Sequence, residues 1–146
     1  MYFYAMPNAR LKKAEFRILF QTDRYIAGHE YEYAYLIDNK TNKEVYMGGF
    51  YGDPCCAIID NKGTWCVFGG ETINILVFGF KIAIIDKPEL KWVMKLRQTG
   101  NFVIELLIDP WSEYGAVWQL DVRTLESKKL RPFDLSSEPN TADIDW

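Results

Sequence analysis

Histidine is almost missing from this 146-residue sequence, with one copy at His29, and cysteine is scarce, with only Cys55, Cys56 and Cys66. One histidine leaves Ser-His-Asp or Cys-His catalysis a single place to stand, far in sequence from every thiol. No catalytic set is expected. Zinc is equally poorly served: CxxC and HxxxH spacings are absent, and adjacent Cys55 and Cys56 on a strand would point to opposite faces. No metal and no cofactor are expected. An odd thiol count and an adjacent pair also argue against disulfides, although a bridge from Cys55 or Cys56 to Cys66 across a hairpin stays open. The expectation is reduced, mostly buried thiols, as in a cytoplasmic protein.

Long apolar runs are missing too. The most apolar stretch, residues 73–85, is broken by Asn74, Gly79 and Lys81 and is shorter than the roughly 20 residues of a membrane helix. Residues 1–7 lack the basic and extended apolar regions of a signal peptide, so a cytoplasmic location without membrane association is expected. Charge of one sign is not in excess: 17 Lys and Arg stand against 20 Asp and Glu, a formal net charge of −3. That balance lacks the basic surplus of a nucleic-acid binder, and no nucleic-acid partner is expected. Phosphate loops are absent, because Gly48-Gly49, Gly52 and Gly69-Gly70 precede neither Lys-Ser/Thr nor a helix. Helical stripes are absent as well, with residues 88–97 the one ambiguous stretch.

What the chain does have is aromatics, at 16%, with 5 Trp, 9 Tyr and 9 Phe. These suit pleated, half-buried surfaces. It also repeats an apolar run ending in Asp: Leu36-Ile37-Asp38, Ile58-Ile59-Asp60, Ile84-Ile85-Asp86, Leu107-Ile108-Asp109 and Gln119-Leu120-Asp121. Asp accepts a hydrogen bond from the backbone two residues on, so each marks a strand turning over. Strands are expected over 15–21, 31–37, 44–47, 55–59, 64–68, 72–78, 81–85, 91–96, 102–108, 115–120 and 128–131. Gly28 and His29 mark a turn before 31–37, in which Tyr31, Tyr33 and Tyr35 share a face.

The fold expected is therefore all-β, an antiparallel hairpin meander of about ten strands with little helix, arranged as a partial propeller or a sandwich or barrel. The stretch 117–130 reads as the outer hairpin of a propeller blade, and 35–45 repeats it, with Asp38 and Thr41 at the offset of Asp121 and Thr124. At about 40–45 residues per blade the chain holds roughly three and a half blades, too few for closure. One domain, 1–131, is followed by an acidic tail, 132–146, carrying Asp134, Glu138, Asp143 and Asp145 without Lys or Arg. The tail is expected to wander over the surface unless Ile144 and Trp146 dock it.

Two segments read as contact surface. The loop 48–54 carries Tyr51 and Asp53 among glycines, and the turn 109–114 carries Trp111, Glu113 and Tyr114. Loops bearing Tyr and Trp are common contact surfaces. Trp65 and Glu71 are expected near the first loop. Residues 98–126 carry Glu105, Asp109, Glu113, Asp121 and Glu126 against Arg123 alone, a stretch that could form an acidic patch and steer a basic partner.

The stretch Gly49-Phe50-Tyr51-Gly52-Asp53-Pro54-Cys55-Cys56-Ala57-Ile58-Ile59-Asp60, with Trp65-Cys66-Val67-Phe68-Gly69-Gly70-Glu71, resembles small bacterial β-rich immunity proteins of polymorphic and contact-dependent toxin systems. The resemblance implies a cytoplasmic, non-catalytic protein that binds one cognate toxin and blocks it. Many such toxins are nucleases with basic clefts, which an acidic surface suits. A competing reading is a small-molecule or carbohydrate-binding β domain, or a hydrolase with Asp109 and Glu113 as acid and base. A third is a scaffold piece that pairs through an exposed strand edge.

Overall fold

The computed structural model describes residues 8–132. These form twelve strands in three four-stranded antiparallel sheets. The first sheet is β1 (Phe16–Gln21), β2 (Tyr25–Glu30), β3 (Tyr33–Asp38) and β4 (Glu44–Gly49). The middle sheet is β5 (Cys56–Ile59), β6 (Trp65–Gly69), β7 (Ile73–Val77) and β8 (Ala83–Ile85). The third is β9 (Val93–Gln98), β10 (Val103–Ile108), β11 (Ala116–Asp121) and β12 (Ser127–Pro132). Each sheet follows chain order without a crossover. Among the described residues helix is limited to the short 3-10 segments Ala9–Lys12 and Pro88–Leu90. The acidic tail, and Ile144 and Trp146 within it, lie outside the described residues apart from Pro132.

The expected all-β meander is present, and four up-and-down strands are the unit of a propeller blade. Three such units sit in a row without closing a barrel. β5 lies between β1 and β9, so the first strands of the three sheets are neighbours.

The middle sheet is buried on both faces, and alternation along its strands shows how. Trp65, Val67, Ile58, Ile73 and Ile75 pack with Val93, Ile104, Leu106, Ile108 and Leu120 of the third sheet. Cys66, Phe68, Ala57, Ile59 and Leu76 pack with Ala27, Ala34, Leu36 and Met47 of the first. A strand covered on both sides needs apolar residues at both parities, which accounts for the nearly unbroken apolar runs at 57–59, 65–68 and 73–78. Asn74 is the polar exception in this stack. Its Nδ2 donates to the Met47 carbonyl at 2.9 Å, and its Oδ1 accepts from Thr72 Oγ1 at 2.7 Å.

The aspartates cap turns as expected. Asp38 Oδ1 accepts the Lys40 N–H at 2.9 Å, and Asp121 Oδ1 accepts the Arg123 N–H at 2.8 Å. The two loops match further: Thr41 and Thr124 hydroxyls each accept the N–H two residues on, and Asn42 and Leu125 follow at φ 59 and φ 67. Asp109 caps through the Trp111 N–H and Asp60 through the Thr64 N–H. Asp86 differs, forming an ion pair with Lys91 at 2.6 Å.

Gly28 and His29 do not turn the chain. Both lie inside β2, paired with Tyr35 and Ala34 of β3. Glycine is needed at 28 because the Phe16 ring lies over it: a Cβ there would come within 2.4 Å of Phe16 Cζ. The turn falls instead at Tyr31 and Glu32, so Tyr31 leaves the stripe that Tyr33 and Tyr35 keep. All three cysteines are free; Cys66 is buried, Cys56 half-buried and Cys55 exposed, against the expectation that most are buried. Strand register opposes Cys66 to Ile59 and Cys56 to Gly69, so the hairpin brings no two thiols face to face.

Candidate protein interface

Up-and-down order sends every second connection to the same end of its sheet. Backbone hydrogen bonds tie these connections to one another within each sheet and, at Val93, between the middle and third sheets, while β5 sets the first sheet beside them. Phe50 N–H donates to the Glu32 carbonyl at 2.9 Å, and Cys55 N–H to that of Gly69 at 2.8 Å. Val93 N–H donates to Gly70 at 2.8 Å, and Asp109 N–H to Trp92 at 2.8 Å. The segments around residues 31–32, 50–55, 69–72, 86–92 and 109–115 therefore share one end of the molecule.

That end presents exposed aromatics: Tyr31, Tyr51, Trp92, Trp111 and Tyr114, with Tyr51 76% and Trp111 63% exposed. Their loops are anchored from beneath. Phe50 and Pro54 are buried and pack on Gly70, where a Cβ would sit 3.0 Å from the Phe50 ring, so Tyr51 is turned outward. The 109–114 turn is closed by Asp109 Oδ1 accepting the Trp111 N–H at 3.0 Å. Ser112 N–H and Oγ both donate to the Asp109 carbonyl, at 2.9 and 2.7 Å. Pro110 is buried below, leaving Trp111, Glu113 and Tyr114 on the surface.

Tyr51, Asp53, Trp111, Glu113 and Tyr114, all selected from sequence, come together at this end. Tyr31 and Trp92 join them and were not selected. One reads as part of a strand stripe and the other as fitting either periodicity. Both take left-handed backbone, φ 52 and φ 64, which is uncommon outside glycine. Such residues persist where neighbours hold them and are frequent at binding sites. The Tyr31 carbonyl is held by His29 Nδ1 at 2.7 Å, and because a carbonyl only accepts, Nδ1 carries the proton. The Trp92 carbonyl is held by Asp109 N–H. His29 is thus a buried positioning group for the Tyr31 turn.

Carboxylates accompany the aromatics. Glu32, Asp53, Asp109 and Glu113 lie in these segments, and Glu71 and Asp86 clamp Lys91 at 3.1 and 2.6 Å. Asp53 and Asp109 converge on Cys55: partial burial, then the charges of these two acids, push its thiol above the ordinary range. Burial alone pushes the Cys66 thiol up. Neither thiol is activated as a nucleophile. Arg17, His29, Tyr31 and Asp53 border a shallow cleft of about 320 Å3 beside the loops.

The acidic stretch 98–126 is not one patch. Glu105 pairs with Arg97 at 2.7 Å, and Asp121 and Glu126 sit in the β11–β12 turn at the opposite end. Trp65 is likewise away from the first loop; it is fully buried, its Nε1 donating to the Asn101 carbonyl at 2.8 Å. Glu71 does stand at the aromatic end. Among the described residues no group of three or more His, Cys, Asp and Glu could hold a metal ion, and no helix is long and apolar enough to cross a membrane. No family model, curated protein or solved structure matches this chain.

Proposed function

We propose that this chain is a non-catalytic protein-binding module that grips a basic partner through its aromatic, acidic loop end. The observation that carries the reading is the convergence of Tyr31, Tyr51, Trp92, Trp111 and Tyr114, all exposed, on one end edged by carboxylates. Exposed Tyr and Trp supply most of the binding energy in many protein interfaces. The carboxylates steer a cationic partner and raise its association rate. Anchoring by Phe50, Pro54 and Pro110 keeps the loops in place before binding, which lowers the ordering cost.

In its sharpest form the module is an immunity protein: it occludes the basic active-site cleft of a cognate bacterial toxin, in the cytoplasm of the cell that makes both. The resemblance of residues 49–71 to such proteins supports this form, and the segment contributes Tyr51 and Asp53 to the loop end. Asp109, half of the acid pair a hydrolase would use, instead holds its own turn through Oδ1.

The test is affinity capture of the tagged protein from its source cells, followed by native mass measurement. A stoichiometric basic partner that is lethal when expressed alone is the expected result. Recovery of the chain by itself, with no partner at any salt concentration, overturns the reading.

A further inference from the structure

At the end opposite the aromatic loops, a cleft of about 450 Å3 opens between the middle and third sheets. Ile75 and Val77 of β7 form one wall, and Phe102 and Leu125, from the β9–β10 and β11–β12 turns, form the other. Lys81 and Arg123 also line it, and both are exposed. The Arg123 guanidinium lies 4.0 Å from the Phe102 ring centroid, which fixes its position over the apolar wall. Among the described residues neither cation is in an ion pair with a carboxylate. Asp121, next along the turn, directs its Oδ1 onto the Arg123 and Thr124 N–H groups instead.

A volume of this size falls in the range of small-molecule sites, which are mostly apolar with a few placed polar groups. The related cleft between the first and middle sheets is different: it holds about 350 Å3 and mixes Asp38 with Lys43. Of these two, the cleft between the middle and third sheets is the one that pairs an apolar wall with charged lining residues of a single sign, Lys81 and Arg123. We propose that it binds an amphipathic organic anion, its chain against Ile75, Val77, Phe102 and Leu125 and its acid head between Lys81 and Arg123. A medium-chain carboxylate meets that description. The site is separate from the protein-binding end, so either assignment can fail without the other.

The experiment titrates the full chain with decanoate, below its micelle concentration, by calorimetry and by amide chemical shifts. Octanoate and dodecanoate test chain length, and decanol and decyltrimethylammonium test the head. Saturable one-to-one binding of decanoate is expected, tightening about fourfold for each added methylene, with shifts centred on Val77 and Leu125. Arg123→Gln, an exposed substitution that leaves the core intact, weakens decanoate about tenfold and leaves decanol unchanged. Absence of saturable binding, equal binding of the cationic amphiphile, or shifts confined to the aromatic loops overturns the proposal.

Discussion

The side-chain amide of Asn74 donates to the main-chain carbonyl of Met47 across 2.9 Å, joining the middle sheet to the last strand of the first. Asn74 is fully buried. The chain makes room for it at Gly48, φ 112, where a Cβ would stand 2.5 Å from Asn74 Nδ2. Replacing Asn74 by Leu leaves the Met47 carbonyl and the Thr72 hydroxyl without their partner. Such a loss costs about 2–3 kcal/mol, and urea denaturation of Asn74→Leu should show a lower midpoint at unchanged slope.

Two tryptophans should respond unequally to the same change. Trp65 is fully buried and its Nε1 reaches the Asn101 carbonyl at 2.8 Å. Trp118 Nε1 is buried without a partner among the described residues. Trp65→Phe loses a hydrogen bond and buried area, about 2–3 kcal/mol. Trp118→Phe removes a polar group that is already unsatisfied, so its lost area is offset and stability stays within about 1 kcal/mol of the parent. Thermal unfolding of both variants measures the contrast.

Acid should weaken the fold through its turns. The Arg24 guanidinium, aided by the Lys40 N–H, holds the Asp38 carboxyl below its ordinary range; the Thr124 and Arg123 N–H groups do the same for Asp121. A carboxyl depressed in the folded state contributes stability above its unfolded value, about pH 3.9, and that contribution is lost as pH falls through the folded value. Asp121→Asn keeps an oxygen to accept the hydrogen bond but not the charge. It should cost about 0.5 kcal/mol at pH 7, since solvent screens this site. Parent and variant should converge as pH falls below the ordinary carboxylate range and through the folded-state value in a chemical-denaturation series.

At the loop end, binding and stability should separate. Trp111 and Glu113 are exposed and their side chains support no core contact. Trp111→Ala should weaken partner binding by about 2 kcal/mol, roughly thirtyfold. Glu113→Lys should act mainly on the association rate and its salt dependence. Neither should move the unfolding midpoint by more than about 0.5 kcal/mol. Surface plasmon resonance over a range of salt concentrations, beside thermal unfolding, tests both.

The hairpin turns could be read from residues alone because an aspartate cap is local: Asp38 and Asp121 contact amides two residues ahead, and their loops repeat down to the threonine. β2 could not be read that way. Gly28-His29 carries turn-like residue types, and the reason for the glycine, the ring of Phe16 above it, comes from a neighbouring strand. The loops bearing Tyr51, Asp53, Trp111, Glu113 and Tyr114 were visible separately, as aromatic segments without alternation. Their convergence depends on how the sheets are set beside one another, as in the Val93 N–H donating to the Gly70 carbonyl between the third and middle sheets. Tyr31 and Trp92 stayed hidden because their left-handed backbone is held through their carbonyls, by His29 Nδ1 and by the Asp109 N–H, contacts that residue type alone does not announce.

Because each sheet is continuous in sequence, the protein can be assembled in the order in which a ribosome delivers it. Residues 16–49 close the first unit and residues 56–85 lay the second upon it. At that moment Trp65, Val67, Ile73 and Ile75 face water, since their cover is still unmade. The nascent chain thus passes through a stage with one broad sticky flank, relieved only when residues 93–122 emerge. Fragments ending near residue 87 should bind hydrophobic dyes and aggregate, whereas full-length chains should not. Synthesis pauses in this interval, rather than at either end, are where newly made protein is most exposed to loss.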